Sequence, residues 1–267
     1  MTVYKALTIA GSDSGGGAGI QADLKTFQEL GVFGMSAITA VTAQNTLGVQ
    51  GVYPLSAEAV AAQIESVAVD LGVDALKTGM LFSADIIRTV AEQVKKHGWE
   101  RLVVDPVMIA KGGAPLLQEE AVAALKEALL PLAFVITPNI PEAEVLTGIA
   151  IRTMDDRREA ARLLHRMGAR YVVIKGGHDD DGEETVDLLY NGSEFSYFKS
   201  KRIDTRHTHG TGCTFAAAVA AELAKGRHPV DAVGTAKSFV QAAISHSLGI
   251  GQGHGPTNHW AYRQYGE

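Results

Sequence analysis

The only cysteine of the chain follows a Gly-Thr-Gly turn, a setting in which a thiol can do chemistry. Cys213 comes directly after Gly210, Thr211 and Gly212 and just before the apolar helix pattern Thr214–Lys225. The first N–H groups of a helix have no partner within it, so such a turn can bind an anion such as phosphate. We expect the thiol to ionise more readily there than a free thiol does. The pairing predicts a catalytic base beside an anion site; the alternative is a small buried apolar cysteine.

A second glycine-rich turn follows the first apolar run. Residues 11–19 read Gly-Ser-Asp-Ser-Gly-Gly-Gly-Ala-Gly, and residues 17–22 fit the G-x-G-x-x-A pattern of dinucleotide-binding turns. That pattern needs an acidic residue about 20 positions later to bind a ribose. This chain has Gln44 and Asn45 at the end of its second predicted strand, and the sequence G-x-x-x-x-G-K-[ST] is absent. An NAD-dependent oxidoreductase and a P-loop ATPase are therefore both disfavoured.

Two carboxylates and a lysine stand at predicted strand ends, where they could handle a phosphate and its cation. Asp105 ends a Leu-Val-Val run, and Glu142 lies three residues after Asn139. Mg²⁺ binds through one or two carboxylates while keeping several waters, so Asp105 and Glu142 could hold it directly or through water. Glu142 has an equally good structural explanation, because a glutamate at a helix start favours the helix dipole. Lys175, which precedes two glycines, is expected to contact phosphate oxygens.

Other polar residues have weaker functional interpretations. Asp23, six residues past Gly17, is either a solvated helix carboxylate or a contact for a substrate hydroxyl. His207 and His209 have no convincing set of further metal ligands around them, so zinc is not expected. The acidic run His178–Glu184 is typical of a solvated turn, and its position after Lys175 also makes it a candidate flap.

The elements that must position these residues alternate between strand and helix patterns. The predicted strands are Ala6–Ala10, Met35–Ala43, Ala75–Lys77, Leu102–Asp105, Phe134–Thr137 and Tyr171–Lys175. The predicted helices are Ala18–Leu30, Ala57–Leu71, Ala84–Lys96, Glu119–Leu130, Asp155–Met167, Thr214–Lys225 and Val230–Leu248. Val186–Tyr190 and Glu194–Lys199 predict an antiparallel hairpin with Asn-Gly in its turn. The pattern predicts a single α/β domain over residues 1–267 with a mostly parallel sheet.

In a parallel sheet, ligands bind beyond the carboxyl ends of the strands. Those ends carry polar residues here, which would gather along one edge facing the Cys213 turn: Ser12, Asp13, Gln44, Asn45, Lys77, Thr78, Asp105, Asn139 and Lys175. A single polar strand end means little, because strand ends are usually polar. The complete set favours a site that handles phosphate.

Composition narrows the class of protein further. The chain has 267 residues, 46% of them hydrophobic and 20% charged, which is typical of a globular protein. A formal charge of −6 argues against a nucleic-acid-binding surface. No apolar run reaches the length that spans a bilayer, no secretory leader is apparent, and one cysteine excludes an internal disulfide. We therefore expect a cytoplasmic protein that binds neither nucleic acid nor membrane.

Six motifs together resemble those of one enzyme family. They are Ala10-Gly-Ser-Asp-Ser with Gly17-Ala-Gly-Ile-Gln-Ala-Asp-Leu-Lys25, Lys77-Thr-Gly-Met80, Asp105-Pro-Val, Asn139-x-x-Glu142, Lys175-Gly-Gly and Gly210-Thr-Gly-Cys213. In this order they resemble the hydroxymethylpyrimidine/phosphomethylpyrimidine kinases of thiamine biosynthesis, a branch of the ribokinase-like superfamily. The resemblance covers essentially the whole chain. It implies a three-layer α/β/α fold and a homodimer.

The resemblance also implies the reaction and its cofactors. MgATP would phosphorylate the hydroxymethyl group of 4-amino-5-hydroxymethyl-2-methylpyrimidine, and a second turnover on the monophosphate would give the pyrophosphate. A monovalent cation is a further candidate cofactor. Ribokinase-like enzymes generally have an aspartate base at the position of Cys213, and the pyrimidine kinases and some vitamin B6 kinases have a cysteine.

Individual roles follow by the same resemblance. Cys213 would take the hydroxyl proton while the amides of residues 210–213 bind the transferring phosphoryl group. Asp105 and Glu142, with Asn139, would organise Mg²⁺ and its waters, and ATP would contact Lys175, Asn139 and Thr211. Gln44 is expected to hydrogen-bond to the aminopyrimidine edge, since its amide offers a donor and an acceptor. The rest of the substrate pocket would be lined by Gly11, Asp23, Met80 and Val107.

Two further functions stay open at this point. A pyridoxal or pyridoxine kinase is the close alternative, alone or as a second activity, because a pyridine with a hydroxymethyl arm has a similar size. A non-catalytic nucleotide- or pyrimidine-binding module is a more distant alternative. It is disfavoured because a binder would need only some of Cys213, Glu142, Asp105 and Lys175.

Overall fold

The computed structural model describes residues 2–108, 119–177 and 182–265, which include nine strands. The strands are β1 (Lys5–Asp13), β2 (Phe33–Asn45), β3 (Gly48–Pro54), β4 (Ala75–Thr78), β5 (Leu102–Val104), β6 (Val135–Ile136), β7 (Tyr171–Ile174), β8 (Glu184–Tyr190) and β9 (Phe195–Lys201). They form one sheet in the order β3-β2-β1-β4-β5-β6-β7-β8-β9. The six strands from β2 to β7 in that order run parallel, and β3, β8 and β9 are antiparallel to their neighbours.

The connecting helices are α1 (Gly19–Glu29), α2 (Ala57–Asp70), α3 (Ala84–His97), α4 (Glu119–Ala124), α5 (Ile140–Thr147), α6 (Met154–Arg166), α7 (Thr211–Ala224), α8 (Pro229–Ser245) and α9 (Ala261–Tyr265). Hydroxyl side chains cap several of them: Ser56 accepts from the Ala59 amide and Ser83 from the Ile86 amide. None of the helices in the described ranges is long and apolar enough to cross a membrane.

Helices cover both faces of the sheet because each inner strand buries the side chains of both its faces. On β1, Leu7 and Ile9 belong to the core under α2–α6, whereas Ala6 belongs to the core under α1, α7 and α8. Helix α7 is the most deeply buried of the helices, and alanines fill most of it, which lets it lie close to the strands. The predicted three-layer α/β/α fold is confirmed.

Three elements are absent from the predicted strands and helices, although a helix start at Glu142 was considered as one explanation of that residue. Strand β3 contains Gly48 and Gly51 and ends in Pro54, a composition that argues against a strand. Helices α5 and α9 are only eight and five residues long, too short to show a clear helical period. The predicted helix Glu119–Leu130 is also less regular than expected, because α4 gives way to a π turn at Leu125–Leu129.

The start of α7 differs from the prediction in a way that matters for the site. The helix begins at Thr211, three residues before the predicted start at Thr214, so Cys213 lies within its first turn. The residue before it, Gly210, has a left-handed backbone with φ of 83°. A side chain there would collide with the Gly17 carbonyl oxygen, so glycine is required for the two glycine-rich turns to touch.

Candidate active site

A cavity of about 670 Å³ opens at the carboxyl ends of the parallel strands, where ligands of such sheets bind. Twelve of the thirteen residues predicted for the site line it: Gly11, Gln44, Met80, Asp105, Val107, Asn139, Glu142, Lys175, Gly210, Thr211, Gly212 and Cys213. Of the predicted flap at residues 178–184, residues 178–181 lie outside the described ranges.

Asp23 is the exception, and the expectation that it lines the substrate pocket is wrong. Its side chain is fully buried behind the cavity wall, where Lys77 Nζ lies 3.0 and 2.9 Å from its two carboxylate oxygens. The Thr8 hydroxyl donates to one of the same oxygens at 2.5 Å. Burial alone would lower the pKa of Lys77, but the adjacent carboxylate outweighs burial and raises it. Asp23 therefore binds the buried ammonium group of Lys77 and not a substrate hydroxyl.

Cys213 lies in the first turn of α7, partly open to the cavity. The N–H groups of that turn have no carbonyl partners further back in the helix, so they are suited to an anion. The thiol itself differs from the prediction. Burial raises its pKa to about 11, against the lowering effects of the Lys77 charge and of a hydrogen bond from the Gly19 amide. The expectation of a readily ionised thiol is wrong for the ligand-free site.

Asp105 and Lys175 form an incompletely bonded ion pair on the cavity wall. Lys175 Nζ lies 3.2 Å from Asp105 Oδ1, and Lys175 is 14% exposed. The other carboxylate oxygen of Asp105 is buried and has no hydrogen-bond partner among the residues that the structure describes. A buried acceptor without a partner is costly unless a ligand supplies one. This oxygen is therefore a suitable place for a cation or its bound water.

Glu142 adds a second carboxylate beside this pair. Burial raises its pKa to about 7, Lys175 opposes that rise, and the charge of Asp105 adds to it. Its Oε2 also accepts from the Asn139 amide at 2.8 Å, and Asn139 Oδ1 accepts from the Glu142 amide at 2.9 Å, which completes a capping box for α5. The structural explanation for Glu142 thus holds. One of its carboxylate oxygens caps the helix while the residue still lines the cavity.

No group of three or more His, Cys, Asp or Glu side chains in the described part of the chain could hold a metal ion by itself. This fits the donor set of Mg²⁺, which uses one or two carboxylates and keeps several waters. Asp105, through its oxygen without a partner among the described residues, and Glu142, through its carboxylate, are the residues that fit such an ion.

Gln44 and Met80 line one end of the cavity. Gly11 leaves room for Met80, because a Cβ at position 11 would overlap the end of the Met80 side chain and displace it. At this end Asp13, which the strand-end pattern placed at this edge, lies with its Oδ2 2.8 Å from Nε2 of His209, a contact that the sequence analysis did not predict. The signal for Asp13 was its place between a strand end and three glycines, which is typical of a carboxylate that caps a turn.

The opposite end of the cavity is formed by the β8–β9 hairpin and α8, and none of its residues was predicted. Lys237 on α8 lies 2.9 Å from Asp187 Oδ2 and 3.0 Å from Thr185 Oγ1 on β8. Asp187 Oδ1 also accepts from the Gly176 amide at 2.8 Å, next to Lys175. No local motif marks these residues, since only the sheet order brings the hairpin beside the β7 strand end.

A protein-family model described as phosphomethylpyrimidine kinase matches residues 13–258, which include every residue of the cavity wall except Ala10, Gly11 and Ser12. The chain belongs to the phosphomethylpyrimidine kinase family. The resemblance read from its motifs is therefore confirmed.

Proteins that are similar to this chain support the same assignment. The hydroxymethylpyrimidine/phosphomethylpyrimidine kinase of Bacillus subtilis is 60% identical over 264 residues, covering 99% of this chain and 97% of the relative. The pyridoxine kinase of the same organism is 49% identical and covers 98% of each chain. The structure of the pyridoxal kinase from Staphylococcus aureus with AMP-PCP and pyridoxal has a TM-score of 0.92 at 40% identity, covering 99% of this chain and 96% of that one.

Membership of the family makes this chain a kinase, and kinases of the family imply ATP as the co-substrate. The cavity suits two substrates, since it continues from Gln44 past the first turn of α7 to Lys237. The Cys213 turn lies between those ends, where a phosphoryl group would pass from one substrate to the other.

Proposed function

We propose that the chain acts as a single kinase domain that phosphorylates 4-amino-5-hydroxymethyl-2-methylpyrimidine with ATP and then converts the monophosphate to the pyrophosphate. These steps belong to thiamine biosynthesis. One observation carries the proposal: a single cavity joins the Gln44 amide, the helix-start turn at Cys213 and the Lys175–Asp105 pair. The 60% identity to a kinase of that name supports the same substrate.

The turn at residues 210–213 and Lys175 stabilise the transferring phosphoryl group. Phosphoryl transfer depends mainly on positioning and on stabilising charge, with little covalent work for the protein. Free amides at a helix start supply partial positive charge, and Lys175 supplies a full one. Thr211, the first residue of α7, and Asn139, at the start of α5, line the same cavity and would contact the ATP phosphates.

Cys213 takes the proton of the hydroxymethyl group, and only its thiolate form can do so. Because burial raises the thiol pKa to about 11, the thiolate fraction in the ligand-free site grows as the pH rises. Lys77 is the nearby cation that opposes the effect of burial. The thiolate fraction is therefore small near neutral pH, so the base contributes at the lower end of the range for general-base catalysis, about 100-fold, and positioning and charge stabilisation supply the rest.

Asp105 and Glu142 are the residues that would hold Mg²⁺. When bound, the ion neutralises charge on the ATP phosphates and on the group being transferred. The buried oxygen of Asp105 that lacks a hydrogen-bond partner among the described residues is the acceptor best placed for such an ion. Lys175 contacts the other oxygen of Asp105.

A pyridoxal kinase activity is a second candidate, as an additional reaction of the same cavity. A 49% identical relative is a pyridoxine kinase, and the Staphylococcus aureus structure contains pyridoxal. The cavity is large enough for either ring. Gln44 favours the aminopyrimidine as the principal substrate, because an amide can match an edge with one donor and one acceptor.

The proposed function is tested by ADP release in a coupled assay. The chain is supplied with ATP and Mg²⁺ and, separately, with the pyrimidine alcohol, its monophosphate and pyridoxal. We expect turnover with both pyrimidines and a lower kcat/KM with pyridoxal. Absence of turnover with either pyrimidine would refute the principal function, and pyridoxal as the best substrate would reverse the two candidates.

A homodimer and a cytoplasmic location are the remaining proposals, and both rest on the family. Exposed Leu47, Tyr53 and Val41 lie at the β2–β3 edge of the sheet, an apolar surface that a second copy could cover. Light scattering of the purified chain tests the dimer, and fractionation of the producing cells tests the location.

A further inference from the structure

The His209 imidazole lies between the Asp13 carboxylate and the Gln44 amide at the substrate end of the cavity. Its Nε2 is 2.8 Å from Asp13 Oδ2 and 3.3 Å from Gln44 Nε2. The ring packs against Gly17, where a Cβ would meet the imidazole, and only 12% of the side chain is exposed. Backbone bonds to the C-terminal segment fix the residue, since the His209 amide donates to the Gly255 carbonyl at 3.1 Å.

Asp13 determines which atom of His209 carries a proton. Oδ2 of the carboxylate accepts from the Gly17 and Ala18 amides at 3.0 and 2.9 Å, and Oδ1 accepts from the Gly15 amide at 2.8 Å. Burial would raise the pKa of Asp13, but the bond from His209 and those from backbone amides outweigh it and lower the pKa. An ionised carboxylate only accepts hydrogen bonds, so Nε2 of His209 must be a donor.

A donor at His209 Nε2 fixes how the Gln44 side chain is turned. Two N–H groups cannot bond to each other, so the amide nitrogen is the wrong partner at 3.3 Å. The ends of an amide are assigned from their hydrogen bonds. Turned by 180°, Gln44 places its oxygen beside His209 Nε2, where it accepts a second, longer branch of the N–H bond that goes mainly to Asp13. Its nitrogen then lies against Thr42 Oγ1, where its oxygen otherwise lies at 3.1 Å. Thr42 can accept there because its own proton goes to the Ser12 carbonyl at 2.9 Å.

We infer that His209 is a specificity-determining positioning residue that holds the Gln44 amide in one orientation and so fixes the donor and acceptor offered to the substrate ring. The inference rests on the proposed function. An aminopyrimidine edge places an amine donor next to a ring-nitrogen acceptor, and it matches an amide in only one of two orientations. A pyridine ring with a hydroxyl lacks this adjacent pair, so its binding depends less on the orientation.

The first test is the KM for the pyrimidine alcohol in His209→Phe, which keeps a ring and removes the donor. We expect that KM to rise roughly ten-fold, as for one lost hydrogen bond, with kcat changed less than about three-fold. His209→Gln, whose amide can donate to both Asp13 and Gln44, should restore most of the loss. KM does not depend on the folded fraction of a preparation, so partial misfolding cannot imitate the result. His209→Ala serves as a second variant without a donor.

A double-mutant cycle with Gln44→Ala separates a direct effect of His209 from one exerted through Gln44. If His209 acts through Gln44, then His209→Phe changes the pyrimidine KM less than about two-fold in the Gln44→Ala background. An equal rise of KM in both backgrounds would overturn the inference. So would a His209→Phe enzyme whose KM stays within two-fold of the unmodified value.

His254→Phe is the matched control, because this histidine is exposed and its Nδ1 lies 3.2 Å from the Arg206 carbonyl. His254→Phe should leave the KM for the pyrimidine alcohol unchanged in both the wild-type and the Gln44→Ala background. The unmodified enzyme separates the two levels of the proposal. Absence of pyrimidine turnover refutes the proposed function and the inference with it, whereas normal turnover with uncoupled His209 and Gln44 refutes the inference alone.

Discussion

Two lysine–carboxylate pairs lie near the strand ends, and they differ in how completely their atoms are bonded. In the Lys77–Asp23 pair, both carboxylate oxygens contact Nζ at 2.9 to 3.0 Å, the Thr8 hydroxyl adds a further bond, and both side chains are fully buried. In the Lys175–Asp105 pair, one oxygen lies 3.2 Å from Nζ and the other has no partner.

The difference separates a structural pair from a ligand-binding one. A buried ion pair whose two carboxylate oxygens are both bonded to the lysine offers a cation no free oxygen, and it is costly to break because one charge would stay buried alone. A pair with a free oxygen and a partly exposed lysine is incomplete until a ligand arrives. Sequence motifs alone did not distinguish Asp23 from Asp105, since both stood in family-like motifs.

The largest expected effect is loss of stability in Asp23→Ala. This change leaves the Lys77 charge buried without its partner, so the free energy of unfolding should fall by about 3–5 kcal/mol. Urea unfolding followed by circular dichroism measures the difference. Glu65→Ala is the control, because it breaks solvent-exposed contacts with Lys96 at 2.7 Å and His97 at 2.9 Å and should cost far less stability than Asp23→Ala. A similar small loss in both variants would contradict the structural role of Asp23.

The second prediction concerns the pH dependence of stability around the incomplete pair. The pKa of Glu142 in the folded chain is about 7, above its usual value of 4.5, because burial outweighs the opposing charge of Lys175. The folded chain therefore binds more protons than the unfolded chain between these values. The stabilisation from protonated Glu142 is complete below about pH 4.5 and is lost as the pH rises through 7.

Chemical denaturation of the metal-free chain with EDTA, across that pH range, measures this effect. We expect the unfolding free energy of the wild type, relative to Glu142→Gln, to fall by on the order of 3 kcal/mol as the pH rises. The glutamine variant removes the titrating group and provides the baseline. Parallel pH profiles of the two proteins would show that Glu142 titrates normally.

The third prediction tests the thiol that lies between the two pairs. Cys213→Ala should lower kcat about 100-fold, the lower range for loss of a general base, while ATP binding stays within about two-fold. Since the pKa of Cys213 is about 11, kcat of the unmodified enzyme should also rise with pH in the alkaline range. Steady-state kinetics and nucleotide titration measure both. Near-normal turnover in Cys213→Ala would show that the base assignment is wrong.

The smallest expected effect is a change of substrate preference in Gln44→Ala. The Gln44 side chain contacts Thr42 and His209 but neither of the two lysine–carboxylate pairs. Its loss should therefore act on substrate binding and raise the KM for the pyrimidine roughly ten-fold. The penalty for pyridoxal should be smaller. Equal penalties for the two substrates would refute a role of Gln44 in recognition.

Much of this site was accessible from sequence because strand-end positions and glycine turns are local features. Cys213, Asp105 and Lys175 follow apolar runs or glycines that mark where each element ends, and the parallel-sheet rule then brings them together. The same reasoning predicted the three-layer fold. It also placed Glu142 at the start of a helix, where the capping box with Asn139 is found.

What the sequence could not supply depends on burial and on long-range packing. Asp23 and Lys77 are 54 positions apart, and only the folded chain shows that they saturate each other. The raised pKa of Cys213 results from burial, which the local motif does not reveal. His209 is 196 positions from Asp13, and Lys237 reaches the cavity only because α8 packs beside the hairpin.

The most direct test of the contrast between the two pairs is Asp105→Asn, with stability and activity measured on one preparation. Lys175 keeps Glu142 as a nearby carboxylate in this variant, so the free energy of unfolding should stay within about 1 kcal/mol of the wild type. The kcat/KM for ATP should fall about 100-fold or more, because the ligand-facing oxygen loses its charge. Glu144→Gln changes a carboxylate on α5 that does not line the cavity, and it should change neither quantity. Unfolding weakened by 3 kcal/mol or more, or activity retained within three-fold, would contradict the assignment of Asp105 to the ligand site.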